Sequence, residues 1–188
     1  MLQRIISIFF LLCLFSIAGI AQTKVTGTVY EDLNGNQKLD RTEKGIPNVA
    51  VSNGKEVVLT DKKGNYALRV GKDNIVFVIK PSGYKNPLDE SNIPQFYYIH
   101  KPGGSPDLEF AGTPPTGSLP EEINFGLVRN IEPDSFRILL FGDPQPYTKQ
   151  EVDYFHHAIA AELKNTQDVE FGISLGDLVG DDLDLFKP

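Results

Sequence analysis

Two short apolar runs in the second half of the chain each end in glycine followed at once by aspartate. They are FRILLFGDPQ, Phe136 to Gln145, and EFGISLGDLVGDD, Glu170 to Asp182. Arg137–Phe141 and Phe171–Leu175 have the length and composition of strands, and Gly142 and Gly176 close them as buried parallel strands are closed. The interval between them fits one helix, since a strand, helix, strand unit takes about 30 residues. Thr148 with Glu151 three residues later makes a capping box, and Val152, Phe155, Ile159 and Leu163 recur at helical spacing. The pattern predicts a right-handed βαβ unit.

In an open parallel sheet, ligands bind beyond the carboxyl ends of the strands. Asp143 and Asp177 fall at that edge. Neighbouring strands lie about 4.8 Å apart, so both carboxylates can reach one cation, or bridge two cations about 3.5 to 4 Å apart, as two-metal phosphoester chemistry requires. A plainer reading competes with this: Asp-Pro is a common turn dipeptide, and Gly-Asp after a strand can simply cap the next helix. Both motifs occurring together at βαβ spacing favours metal ligation.

These residues resemble the calcineurin-like metallophosphoesterases. That family has Asp-x-His or Asp-x-Gln after its first strand and Gly-Asp after its second, here Asp143-Pro144-Gln145 and Gly176-Asp177. The resemblance implies that Asp143 and Gln145 hold one metal and that Asp177 bridges two. It implies two divalent cations among Mn, Mg, Fe and Zn, and a small or macromolecular phosphoester as substrate. Glutamine in place of histidine is a hard oxygen donor, better suited to Mg or Mn than to Zn. Many members carry a further acid where Gly180 stands; Asp181 and Asp182 are read as an acidic helix N-terminus and not as ligands. The family's later histidine ligands and its general-acid histidine have no counterpart, because His100, His156 and His157 all precede the second motif. No catalytic general acid is identified. The resemblance covers residues 135–188, so the sequence is expected to be the front end of an enzyme and inactive alone.

At the other end, Met1 to Arg4 carries one positive charge, Ile5 to Ile20 is apolar, and Gly19-Ile20-Ala21 offers the small residues of a cleavage site. Residues 1–21 are therefore expected to be a signal peptide, since the apolar run is short for a spanning helix; an uncleaved anchor is the other reading. Cys13, the single cysteine, follows Leu12 and so lacks the small neighbour of a lipoprotein signal. Cleavage leaves no thiol, which suits an oxidising compartment. The expected location is periplasmic, cell-surface or secreted, with no stable membrane anchor after cleavage. The net charge of -7 becomes -8 once Arg4 is removed, and nucleic acid is excluded as a partner because no basic stripe is present.

From Thr23 the pattern is all-β. Lys24–Tyr30, Ala50–Ser52, Glu56–Thr60, Tyr66–Val70, Asn74–Lys80 and Ile123–Val128 read as short strands. Asn53-Gly54 signals a type I′ hairpin. Thr60-Asp61 with Gly64 and Tyr66 resembles the turn of transthyretin-like, carboxypeptidase-regulatory sandwiches. The proline-rich connection from Pro81 to Pro120 carries an aromatic segment, Phe96 to Ile99, which fits either a loop packed back on the sandwich or a buried strand.

Between the first two strands, Asp32, Asn34, Asn36, Asp40 and Glu43 occupy positions one, three, five, nine and twelve of a calcium loop. Lys38 supplies the backbone carbonyl at position seven. Gln37 stands where an EF-hand has glycine, and a strand precedes the loop, so it looks more like the calcium loops of bacterial surface β-modules. A polar Asn/Gly turn without an ion is the competing reading.

The organisation expected is a signal peptide at 1–21, a transthyretin-like (prealbumin-like) β-sandwich accessory domain at 22–130, a hinge at 131–134, and the first βαβ unit of an α/β metallophosphoesterase domain at 135–188. That order is similar to exported bacterial calcineurin-like phosphoesterases with an N-terminal accessory domain. Two functions stand: an exported dinuclear phosphoester hydrolase, and a calcium-stabilised binding module with a non-catalytic remnant.

Overall fold

A computed structural model describes residues 23–163 and 165–186; the expected signal peptide, with Cys13, lies outside them. The described chain is mostly sheet with few helices. Its strands are β1 (Thr23–Glu31), β2 (Ala50–Ser52), β3 (Val57–Leu59), β4 (Asn65–Val70), β5 (Asn74–Ile79), β6 (Tyr84–Lys85), β7 (Tyr97–His100), β8 (Phe125–Arg129), β9 (Arg137–Phe141) and β10 (Val169–Ser174). A helix, α1 (Lys149–Phe155), continues through a π-helical stretch, His156–Ala160, into a last turn at Ala161–Leu163. The chain divides into two compact units: one takes in the chain up to Pro81 with 85–103 and 115–129, the other 82–84, 104–114 and 130 onward.

The first unit contains two four-stranded sheets, ordered β4-β1-β8-β6 and β3-β2-β5-β7. β1 runs antiparallel to β4 and parallel to β8. Alternate residues fill its core: Val25 and Val29 from β1, Tyr66, Leu68 and Val70 from β4, Val51 from β2, Val76 and Val78 from β5, and Phe125 and Leu127 from β8. This period of two is what a strand with one covered face imposes. The aromatic segment resolves as a strand, since β7 pairs antiparallel with β5 from Asn74↔His100 to Phe77↔Tyr97.

One turn departs from expectation. Ser52 pairs with Val57, so the β2–β3 hairpin closes through four residues rather than two. Gly54 has a positive φ of 85° but Asn53 does not, and a type I′ turn needs both. Asn53 instead uses its side-chain oxygen, accepting from the N–H groups of Lys55 (2.9 Å) and Glu56 (2.7 Å). The side-chain bonds make an Asx turn, which competes with the hairpin turn the dipeptide suggests.

Asp61 Oδ1 accepts from the N–H groups of Lys63 and Asn65, both at 2.8 Å, and these bonds hold its carboxyl below the usual range. Gly64 takes the left-handed conformation (φ 81°), and the buried Tyr66 hydroxyl donates to Ile123 O at 2.6 Å. Thr60, itself buried, donates through Oγ1 to Ile46 O (2.6 Å) and accepts from Val49 N–H (2.9 Å). Thr60→Val keeps the shape but orphans both backbone groups. Denaturant titration should therefore show this unit less stable by about 1–3 kcal/mol; a loss near zero would mean that the loop re-pairs.

In the second unit β9 and β10 are parallel neighbours, from Val169↔Arg137 to Ser174↔Phe141. The capping box forms as the sequence suggests. Glu151 N–H donates to Thr148 Oγ1 at 3.2 Å, and Glu151 Oε2 accepts from Thr148 N–H at 3.0 Å. The burial expected of these strands is not found: Leu140 is 60% and Phe171 47% exposed. Two strands and one short helix cannot cover both faces of a parallel pair.

Candidate functional site

The parallel register of β9 and β10 carries both Gly-Asp loops out at the same edge, and backbone hydrogen bonds stitch them together there. Leu175 N–H donates to Phe141 O (2.9 Å), Gln145 N–H to Asp177 O (2.8 Å) and Gly180 N–H to Pro146 O (2.8 Å). Asp143 follows β9 by two residues and Asp177 follows β10 by three, and both are exposed. Gln145 and Asp177, joined by their backbones, are both left-handed, with φ of 33° and 38°. For residues with side chains this conformation costs about 1–3 kcal/mol each, and such strain concentrates at functional sites.

The loops rest on an apolar floor, a cleft of about 330 Å³ lined by residues that include Pro144, Pro146, Val152, Phe155 and Leu178. Gly180 lies directly under the Tyr147 ring; a Cβ there would come within 2.4 Å of it. A larger residue in this place would displace that ring. Asp182 Oδ1 accepts from Asp184 N–H at 2.9 Å at the start of the 3-10 turn Leu183–Phe186, a capping role.

What this edge offers is two carboxylates and one amide oxygen, a hard donor set suited to Mg or Mn. Among the described residues, no group of three or more His, Cys, Asp and Glu gathers where it could hold a metal. His156 and His157 are exposed on the π-helical stretch, their rings 5.1 Å apart and against each other. His100 is buried in β7 of the other unit. A groove of about 660 Å³ on the first unit, lined by Asn53, Asp73, Ile75, Phe77 and Tyr97 among others, holds no residue of either motif and no acid–base pair.

The Asp32–Glu43 loop is closed by its own acids. Asp32 accepts from Gly35 N–H (2.7 Å) and Gln37 N–H (2.9 Å), and Glu43 from Leu33 and Asp40 N–H, both at 2.9 Å. The Asn34 and Asn36 amides both donate to Asp40 Oδ2 at 2.9 Å, which lowers the pKa of that carboxyl. The Lys38 N–H donates to Asn36 Oδ1 at 2.8 Å. Nothing in the sequence pattern singles out Tyr30. It lies on the face of β1 opposite Val25 and Val29, where alternation predicts exposure, yet it is wholly buried.

A family model described as the N terminal of calcineurin-like phosphoesterase matches residues 31–114. That match supports the calcineurin-like phosphoesterase family. No curated protein matches the chain. The matched span contains the Asp32–Glu43 loop, the whole of the β3-β2-β5-β7 sheet, and β4 and β6 of the other sheet. It ends before Asp143, so it does not bear on the motif edge.

Proposed function

We propose that this chain belongs to an exported, metal-dependent phosphoester hydrolase. In this reading the two four-stranded sheets form a transthyretin-like sandwich, and β9, α1 and β10 are the first βαβ unit of the catalytic domain. Asp143 and Gln145 would hold one divalent cation and Asp177 would bridge two. Such cations, when bound, polarise a phosphoryl oxygen and lower the pKa of water. The chain's own part is to fix the oxygen donors. The observation that carries the reading is the 2.8 Å backbone bond from Gln145 to Asp177 between two left-handed residues, which holds the motif side chains at one edge at a conformational cost.

The test is manganese titration of the 188-residue chain, with Asp177→Asn beside it. Binding that depends on Asp177 supports the hydrolase. Binding that ignores it favours the binding module, a reading that draws on the family match ending before Asp143. Export is tested separately. Mature protein recovered outside the cytoplasm should begin at Gln22, and a start at Met1 or a lipid on Cys13 would overturn that expectation.

A further inference from the structure

The loop between β1 and β2 concentrates charge that the phosphoesterase reading does not use. Asp32 is 2% exposed and Glu43 9%, with Asp40 partly buried beside them. No ion pair reaches any of the three among the described residues. Buried charges are ordinarily paired or bound to a metal. The N–H groups of the loop satisfy one lone pair on the oxygens they reach, and each such carboxylate oxygen keeps another.

A second observation, independent of the acids, lies beneath them. The Tyr30 hydroxyl is fully buried and makes no hydrogen bond. It faces this loop: the point where a Cβ on Gly126 would sit is 3.0 Å from the hydroxyl and 3.1 Å from Asp32 Cβ. An orphaned donor beside three acids that no cationic side chain pairs lacks something the described residues do not supply.

We propose that the Asp32–Glu43 loop is a calcium site. Side-chain oxygens of Asp32, Asn34, Asn36, Asp40 and Glu43 and the Lys38 carbonyl would surround the ion, with Tyr30 donating to a ligand carboxylate or a bound water. Six oxygens from carboxylate, amide and backbone in a twelve-residue loop match calcium, whereas magnesium demands tighter geometry and keeps its waters. Gln37 already adopts the left-handed turn, φ 58°, that glycine provides at position six of an EF-hand. Binding requires Asn34 and Asn36 to rotate about their broad terminal torsions, exchanging an amide donor for an oxygen. The bonds to Asp40 Oδ2 are then replaced by the ion. The site lies in a different unit from Asp143 and Asp177, so the two readings fail independently.

The experiment uses the full chain carrying Asp177→Asn, so that the other candidate edge is weakened. The chain has seven tyrosines and no tryptophan, so terbium is excited through tyrosine. Calcium at roughly a hundredfold excess over its Kd should raise the Tm of the β-rich unit by about 5 °C or more over chelator. Magnesium should raise it far less. Terbium emission should appear and be displaced by calcium. Asp40→Asn, a mild change at a partly exposed position, should weaken calcium binding at least tenfold. Identical melting in calcium and chelator, or an undiminished shift in Asp40→Asn, would overturn the proposal.

Discussion

Gly45→Ala should abolish the cooperative unfolding transition of the β-rich unit. A Cβ on Gly45 would lie 1.7 Å from Lys63 O, 2.4 Å from its carbonyl carbon and 2.9 Å from Gly64 Cα. All three are backbone atoms, so no side chain can swing aside. The crossing is pinned from both sides: Ile46 N–H donates to Val29 O at 2.8 Å, and Val29 N–H donates to Gly64 O at 2.9 Å. Relieving the clash therefore means separating β1 from the segments on either flank. Ordinary overpacking costs about 1–3 kcal/mol because side chains give way. Here the cost should exceed about 4 kcal/mol, a large share of the 5–15 kcal/mol that holds a typical domain together. Gly103→Ala, where a Cβ meets nothing within 4 Å, is the control and should melt like wild type. A Gly45→Ala protein within about 1 kcal/mol of wild type would show that this crossing can open without loss of the fold.

How far the sequence could be read depended on whether local pattern or tertiary contact decided each position. β2 and β9 fall where they were expected, because short apolar runs bounded by turn residues leave few alternatives. The α1 capping box was legible for the same reason, being a contact three residues long. Asn53 was misjudged because its side chain, invisible to a dipeptide rule, closes a longer turn. β7 was one of two readings, since Tyr97–His100 sits inside a proline-rich stretch and becomes a strand only by pairing with β5. Tyr30 could not be found at all: its burial comes from a loop folding over the outer face of β1, a contact that alternation cannot encode. At the candidate edge the identities of Asp143, Gln145 and Asp177 were legible. The left-handed backbone of Gln145 and Asp177 was not, because neither residue type announces a positive φ.

That backbone makes Asp177→Asn the sharpest test of the edge. Asparagine tolerates the left-handed region at least as well as aspartate, so the substitution keeps the φ of 38° and the bond from Gln145 N–H while removing one negative charge. Melting should be unchanged. Manganese affinity of the 188-residue chain should fall by at least about 100-fold, since even outer-sphere partners are worth about 10–100-fold in metal affinity. Asp143→Asn should behave alike, and Asp181→Asn, at an exposed residue outside the ligand set, should not. Three oxygen side chains are fewer than two hydrolytic cations need, so these 188 residues should hydrolyse p-nitrophenyl phosphate no faster than buffer. In a polypeptide that also carries the family's later histidine motifs, Asp177→Asn should lower metal-dependent turnover by about 1000-fold or more. That factor corresponds to the several kcal/mol of charge stabilisation a bridged cation supplies, at about 1.36 kcal/mol per decade. Metal-dependent turnover that survives Asp177→Asn would mean that the cations are held elsewhere, and that the strained junction of Gln145 and Asp177 serves the fold rather than the chemistry.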